Sequence, residues 1–215
     1  MFGLVRGGEI TDLQVSGDVL VFLKYRSFCR IGGLAGFVDN STLRNCGFVG
    51  TAHTDGRSRF YTDAVTGGLV GSAEQSTVEN CYAVANVSTM NVDDSAHTGG
   101  LFGKADSNVH ASNCYAVAAV IQKNINTVTA RYGTFEGGQY TSTATNCYTQ
   151  LASVGPNGNA TVLTRAQMQS ADGLVKLLNA FVSENGNGNR AWYVDPAENQ
   201  GYPTFGMAVR FETGI

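Results

Sequence analysis

Four cysteines recur at an almost constant spacing, and they are the first residues of this chain whose type and pattern could do chemistry. Cys46, Cys81, Cys114 and Cys147 lie 35, 33 and 33 residues apart in a sequence of 215 residues. Thiols brought together by a fold can bind zinc or form disulfides. Which chemistry is available therefore depends on the elements that carry these four side chains.

Three tyrosines form a second candidate set, because they directly follow the last three of these cysteines. They are Tyr82, Tyr115 and Tyr148. Aligned on one outward face, they would form an aromatic strip that could bind sugar rings or a partner protein. Aromatic residues in register also stabilise a sheet, or lie beneath a loop or a cap, without binding anything. The sequence leaves both interpretations open.

Acidic residues could provide a third kind of site, since glycoside hydrolysis needs two converging carboxyl groups. Asp93 and Asp94 are adjacent, and Glu74 and Glu79 lie close together in the chain. None of them recurs at the spacing of the cysteines, so we interpret them as solvated surface residues. None of the three histidines has a second histidine four residues away, so the HExxH zinc motif is absent. The sequence predicts neither a catalytic residue, a metal site nor a cofactor.

A glycine-rich motif has the same period as the cysteines. The pattern G-G-L-x-G occupies residues 32–36, 67–71 and 99–103, with weaker copies at 2–5 and 133–137. Between these motifs the small or apolar residues Cys81, Ala83 and Ala85 alternate with their neighbours, which is the period of a β-strand. A strand-containing unit of about 33 residues that repeats along the chain is typical of a β-solenoid.

We therefore predict an all-β protein built as a parallel β-helix, or β-solenoid, of about five rungs over residues 1–155. The preference of parallel crossover connections predicts a right-handed winding. Equivalent residues of successive rungs should lie about 4.8 Å apart and form ladders. Length differences between copies place loops at 51–66, 88–98 and 123–130.

Two of these ladders are structural predictions. Inward leucines and the four cysteines should each form a core column, and the asparagines that precede the cysteines should form an amide ladder at a bend, namely Asn45, Asn80, Asn113 and Asn146. A cysteine column about 15 Å long cannot surround one metal ion, and parallel Cβ vectors suit disulfides badly. We expect reduced, buried thiols, with Cys29 outside the column in an irregular stretch.

The repeat pattern ends before residues 156–215, which we predict to be a capping segment with one helix. Thr164 and Gln167 form a T-x-x-Q capping box at a helix start. Leucines at helical spacing follow, and Asn185-Gly186 marks the end of the helix. We expect this helix and Trp192 to cover the last rung, where apolar core and strand edges would otherwise be exposed.

The G-G-L-x-G copies, each followed by Asn-Cys, resemble the GLUG motif repeat. That repeat occurs in bacterial surface proteins, including adhesin-like proteins of Bacteroides-type bacteria and IgA-specific metallopeptidases in which the repeats are accessory. The resemblance implies a parallel β-helix-like fold and a location at the cell surface or in the secreted fraction. It implies no catalysis. We expect a longer exported polypeptide whose leader is not in this sequence.

The net charge is −3, and Lys and Arg are not clustered, which argues against binding to nucleic acid. No apolar run is long enough for membrane insertion. The predicted function is a non-catalytic binding or adhesion module whose partner is a host glycan or an extracellular protein. Two alternatives stay open. One is a polysaccharide-acting β-helix enzyme, which requires carboxylates from adjacent rungs in a groove, and the other is a structural stalk.

Overall fold

A computed structural model shows the chain as a parallel β-solenoid, as the repeat period predicts, and it describes residues 1–23, 28–56, 63–92, 96–124, 131–138, 142–150, 160–185 and 188–205. Each turn contributes four strands. The first turn holds β1 (Phe2–Arg6), β2 (Glu9–Thr11), β3 (Gln14–Leu23) and β4 (Phe28–Gly32), and the second holds β5 (Ala35–Asp39), β6 (Thr42–Arg44), β7 (Gly47–Gly56) and β8 (Asp63–Gly67).

The next turns repeat this order. The third turn holds β9 (Val70–Glu74), β10 (Thr77–Glu79), β11 (Tyr82–Val92) and β12 (His97–Gly99), and the fourth holds β13 (Phe102–Ala105), β14 (His110–Ser112), β15 (Tyr115–Asn124) and β16 (Arg131–Gly133). A partial fifth turn holds β17 (Thr143–Thr145) and β18 (Tyr148–Gln150), and β19 (Thr161–Leu163) follows. The structure thus has four turns and part of a fifth.

Equivalent strands stack into four parallel sheets, which form the four sides of the solenoid. Sheet A contains β1, β5, β9 and β13; sheet B contains β2, β6, β10, β14 and β17; sheet C contains β3, β7, β11, β15, β18 and β19; sheet D contains β4, β8, β12 and β16. The register follows the sequence repeat, so that Tyr82 lies opposite Gly47 on one side and Tyr115 on the other. Because the pairing is in register, residues of one motif position form a column.

The core of the solenoid consists of such columns. Leu34, Leu69 and Leu101 are fully buried, and Phe135 occupies the same position in the weaker copy, where its carbonyl oxygen accepts a hydrogen bond from the Leu101 backbone. The glycines beside the leucines are needed for close approach. A Cβ on Gly68 would lie 1.9 Å from the Gly100 carbonyl oxygen. This glycine therefore lets successive turns stack at their corner.

The strands of sheet C are longer than the sequence predicts. Part of each predicted loop is strand. Strands β7, β11 and β15 continue through residues 51–56, 88–92 and 123–124. These stretches are rich in threonine and serine, but the inward hydroxyls are satisfied across the interior. Thr54 bonds Thr66 at 2.9 Å, and Thr98 donates to Thr89 at 2.7 Å. Paired buried hydroxyls allow a strand that a purely apolar pattern would not reveal. Cys29 also lies in a strand, β4, and not in an irregular stretch.

The predicted helix is present but interrupted. The segment α1 (Arg165–Met168) starts at Thr164 with the expected capping box, and α2 (Lys176–Asn185) ends where the sequence indicates. Between them the chain kinks at Gly173, whose φ and ψ are −97° and −112°. Gly186 and the predicted boundary at 155/156 lie outside the described residues. β19 pairs with β18, so sheet C continues beyond that boundary.

The helical segment does not sit over the last rung as predicted. Residues 164–185 and 188–205, which we call the C-terminal strap, lie along the side of the solenoid. The strap bonds Asp12 of the first turn through Arg190 and Gln150 of the fifth turn through Tyr202. These two anchor points are four rungs apart, which is roughly 19 Å at the ordinary strand spacing. The strap packs here because the outward face of sheet C carries large apolar side chains that need cover.

Candidate functional site

The four asparagines form a continuous amide ladder. Each donates through Nδ2 to the Oδ1 of the preceding one, with N···O distances of 2.7 Å for Asn80 to Asn45, 2.6 Å for Asn113 to Asn80 and 2.6 Å for Asn146 to Asn113. Asp12 continues the ladder into the first turn by accepting from Asn45 at 3.0 Å. All four asparagines have φ between 52° and 55°. Asparagine is suited to this left-handed bend because its short polar side chain bonds locally.

The outer side of this ladder is bound by the strap. Asn80 donates to the Arg190 carbonyl at 3.0 Å and accepts from Trp192 Nε1 at 2.6 Å. Asn113 donates to the Leu178 carbonyl at 3.2 Å, and Asn45 accepts from the Arg190 backbone at 3.0 Å. The ladder therefore forms the surface to which the strap binds. Its side-chain amides bond one another and the strap.

The four ladder cysteines, Cys46, Cys81, Cys114 and Cys147, are free and buried in the core. Their Sγ atoms contact backbone carbonyls, as in Cys81 to the Glu79 oxygen at 3.1 Å. Burial raises the pKa of Cys81 and of Cys147 well above the ordinary thiol value. The hydrogen bond with Cys81 lowers the pKa of Cys46, and at Cys114, where burial alone would raise the pKa, hydrogen bonds with Cys147 and Cys81 lower it to about 5. All four thiols are nevertheless buried away from solvent, so the column is a packing feature.

The tyrosine strip points away from the core, but it is not an exposed platform. Tyr82, Tyr115 and Tyr148 have exposed fractions of 1%, 0% and 7%. Tyr82 and Tyr115 stack with ring centroids 5.4 Å apart, and Trp192 packs across both rings. The Tyr115 hydroxyl donates to the Pro203 carbonyl. The strap therefore occupies the strip, and a ligand cannot reach these rings while the strap is docked.

The two candidate carboxylates that the structure describes, Glu74 and Glu79, do not meet in one groove. Glu74 ends β9 in sheet A and lies 3.9 Å from Arg30, whereas Glu79 ends β10 in sheet B and accepts a hydrogen bond from Asn189 at 2.7 Å. Asp93 and Asp94 lie outside the described residues. Glu136, which sequence analysis did not single out, is buried and accepts a 2.5 Å bond from Ser142. Within the described ranges, no three His, Cys, Asp or Glu side chains form a group that could hold a metal ion.

The strap covers only part of the outer face of sheet C. Beyond the tyrosines, outward positions form rows in register: Val84 with Val117, Asn86 with Ala119, and Ser88 with Ile121. The Ile121 side chain is 54% exposed, while Val84 is buried at the strap's edge. A flat face of small and branched side chains thus continues from beneath the strap into solvent.

A groove of about 530 Å³ lies where the strap meets this face. Val84, Val117 and Ala119 form its floor. Asn86 and Gln150 contribute amides from the solenoid, and Arg165, Gln200 and Tyr202 line it from the strap. The volume is within the range of sites for small ligands. With Gly50 of β7, the groove brings together six separate chain segments, and it is the candidate functional site.

Internal bonds hold the groove's polar wall in place. The Tyr202 hydroxyl donates to Gln150 Oε1 at 2.5 Å, and burial raises the pKa of Tyr202. Gln169 donates to the Gln200 carbonyl at 2.9 Å, and Arg165 Nε donates to Gln169 Oε1 at 3.3 Å. These contacts fix the wall with one cation and several neutral amides.

The sequence gives little sign of this groove. The capping box at Thr164 places Arg165 at the first helical position. Gln200, one residue before the Gly201-Tyr202-Pro203 turn, has a left-handed φ of 57°. Neither feature indicates that both residues would lie beside the exposed edge of Val117 and Ala119. The sequence-predicted tyrosines lie next to the groove, under the strap, and not in it.

Among the described residues, no helix is both long and apolar enough to cross a membrane. No curated protein matches this chain significantly in sequence. A solved structure of a "putative immunoglobulin A1 protease" from Bacteroides ovatus is similar in fold, with a TM-score of 0.60 and 21% sequence identity. The match covers 94% of this chain and 58% of that protein, so this chain spans little more than half of its length.

A family model for the GLUG motif matches residues 64–88. Those residues run from β8 to the middle of β11 and include the second complete G-G-L-x-G motif with its Asn80-Cys81 pair. The match confirms the resemblance stated from the sequence. The chain is therefore a parallel β-solenoid that carries the GLUG motif at the junction of its second and third turns.

Proposed function

We propose that this chain is a non-catalytic binding module of an exported bacterial protein, acting at the cell surface or after secretion, and that the groove beside the strap is its binding surface. One observation carries this proposal. The groove is about 530 Å³, its floor is part of sheet C, and its lining within the described part of the chain includes several amides and one guanidinium but no carboxylate. Such a surface can recognise a polar ligand but lacks an acid and base pair.

The exported location is supported by the GLUG match and by the fold of the Bacteroides ovatus protein. Partner classes are a host glycan or an extracellular protein. We favour a glycan, because the amides along the groove offer donors and acceptors to hydroxyl groups. The solenoid strands keep the floor rigid, so little conformational entropy is lost on binding.

A polysaccharide-acting enzyme is the main alternative. It would need two carboxyl groups about 5 to 9.5 Å apart around a glycosidic bond. The described lining of the groove supplies none, and Glu74 and Glu79 lie on other sides of the solenoid. A structural stalk is the second alternative, and it would bind no ligand at this face.

The test is a binding screen of the purified chain against immobilised glycans and extracellular-matrix proteins. We expect binding that is lost when Ala119 is replaced by Trp, which fills the groove without disturbing a buried residue. Thr42→Trp is the matched control, because Thr42 lies on sheet B away from the groove. Absence of binding to every probe would favour the stalk, and release of reducing sugars from a polysaccharide panel would favour the enzyme.

A further inference from the structure

We infer that the groove recognises a carboxylate-bearing sugar residue and that Arg165 is the residue that contacts its carboxylate. This inference rests on the proposed binding function and makes its ligand class specific. The argument uses the charge of the groove, the shape of its floor and the state of its hydrogen-bonding groups.

Charge is the first step. Arg165 is the single charged residue among the described residues that line the groove. It is exposed, and its Nε bonds neutral Gln169. Within the part of the chain that the structure describes, its terminal nitrogens form no ion pair. A guanidinium with free N–H groups binds a carboxylate in a bidentate manner, and such charge-assisted bonds are the strong ones.

Nearby acids do not cancel this charge. Glu198, close to the groove in sequence, accepts a 2.5 Å hydrogen bond from the Tyr193 hydroxyl. Asp18 shares a row with Asn86 but lies two strands away, at roughly 10 Å by the strand spacing. Among the described residues that line the groove, Arg165 therefore supplies the one charge, and it is positive although the whole chain carries a net charge of −3. An anionic ligand would be favoured over its neutral counterpart.

The floor indicates what carries the carboxylate. Val84, Val117 and Ala119 present an apolar surface on two adjacent strands paired in register. The flat carbon-rich face of a sugar ring fits such a surface. Asn86 and Gln200 flank it with amides that can both donate and accept, as vicinal hydroxyls require. The Oε1 atom of Gln150 accepts the hydrogen bond from the Tyr202 hydroxyl, so Gln150 offers the N–H groups of its amide to a ligand.

An acidic peptide fits the groove less well. Peptides commonly bind by adding a strand to an open sheet edge or by inserting side chains into pockets. Strand β11 is paired on both sides, whereas β15 pairs with β18 only at Tyr115 and Ala116, so a strand-adding peptide would lie along the edge of β15 beyond Ala116, beside the floor and not across it. A ligand that lies across the floor is therefore better matched by a single acidic sugar, or by one acidic residue of a longer glycan.

The experiment is calorimetric titration of the full chain with matched probes: trigalacturonate against its methyl ester, sialyllactose against lactose, and a hexaglutamate peptide. We expect at least one acidic glycan to bind and its neutral counterpart to bind at least tenfold more weakly. Arg165→Gln should weaken binding of the acidic glycan about tenfold or more. Ala119→Glu, which keeps Arg165 but adds a negative charge to the floor, should abolish it.

Lys123→Gln is the matched control, because Lys123 is a cation on the same strand β15 but does not line the groove. Unchanged melting curves would show that the variants fold. Equal binding of acidic and neutral glycans, or no effect of Arg165→Gln, would overturn the inference and leave the proposed binding function standing. Tight Arg165-dependent binding of hexaglutamate alone would overturn the sugar assignment. No binding by any glycan or matrix protein would overturn both.

Discussion

The indole nitrogen of Trp192 donates to Asn80 Oδ1 at 2.6 Å, which joins the strap directly to the middle of the asparagine ladder. Both residues are buried. A motif that repeats for structural reasons is thereby also the attachment site of a segment more than one hundred residues later. This hydrogen bond explains why the tyrosines beside the ladder are covered. Variants that weaken it test how much the strap stabilises the solenoid.

Trp192→Phe removes this hydrogen bond and keeps most of the aromatic packing. We expect the free energy of unfolding to fall by about 1–3 kcal/mol, because a buried acceptor loses a partner. Chemical denaturation followed by circular dichroism measures the change. In the wild-type chain, Trp192 is the single tryptophan, so its fluorescence should shift to the red when the strap detaches. An unchanged denaturation midpoint in Trp192→Phe would contradict the assigned role.

Asn113 tests the ladder itself. Asn113→Ala should lower the free energy of unfolding by about 2–4 kcal/mol, since it removes bonds to Asn80 and the Leu178 carbonyl and leaves alanine in a left-handed conformation. Asn113→Gly relieves the conformational cost and should recover roughly 1 kcal/mol of this loss. If alanine and glycine were equally destabilising, backbone conformation would not contribute to the choice of asparagine.

Gly68→Ala should destabilise the solenoid by about 2 kcal/mol or more, because the added Cβ would lie 1.9 Å from the Gly100 carbonyl oxygen and force two turns apart. Gly3→Ala is the matched control, since a Cβ there meets nothing within 4 Å. Thermal melting of the two variants gives the comparison. A Gly68→Ala protein with a wild-type melting temperature would show that the corner has room to relax.

His97 predicts a pH dependence of stability. Burial lowers the pKa of His97 to about 4, while its Nδ1–H donates to the Gly137 carbonyl and Arg131 faces Nε2 at 3.3 Å. The unfolded chain binds a proton near pH 6.5 and the folded chain does not, so stability is fully present above pH 6.5 and declines as the pH falls toward 4. Between pH 6.5 and 4 the free energy of unfolding should fall by on the order of 3 kcal/mol.

The measurement for His97 is the difference in unfolding free energy between wild type and His97→Gln at several pH values, which cancels carboxylate titration common to both. His110→Gln, at an exposed position, is the control. We expect the wild-type slope between pH 6.5 and 4 to flatten in His97→Gln and to persist in His110→Gln. Equal slopes in all three proteins would show that His97 is accessible to protons in the folded state.

The cysteines should differ in reactivity by position. Cys29 is half-buried, and burial raises its pKa, whereas the four ladder cysteines are buried in the core. Native alkylation with iodoacetamide should therefore label Cys29 slowly and the ladder more slowly still. Intact mass measurement would show one added group before the others, and five after unfolding. Early labelling of Cys114 would indicate local opening of the core.

Much of the solenoid was predictable because its physics is local and repeated. The alternation around Cys81 indicates a strand, and the common period of glycine and cysteine motifs sets the register of successive turns. The capping box at Thr164 depends on residues three positions apart. The widened part of sheet C was missed, since Thr54 and Thr66 look like loop residues until their hydroxyls are seen to pair across the interior.

The sequence alone therefore determined the period, the parallel stacking and the identity of the columns, because in-register pairing requires only that equivalent residues recur. It did not determine where the strap packs or that a groove forms beside it. Arg165 and Ala119 come from segments that share no local pattern, and they line the same groove only because the outward tyrosines need cover and the Asn80 ladder offers partners for the strap. Tertiary packing decided which surface was hidden and which was left open.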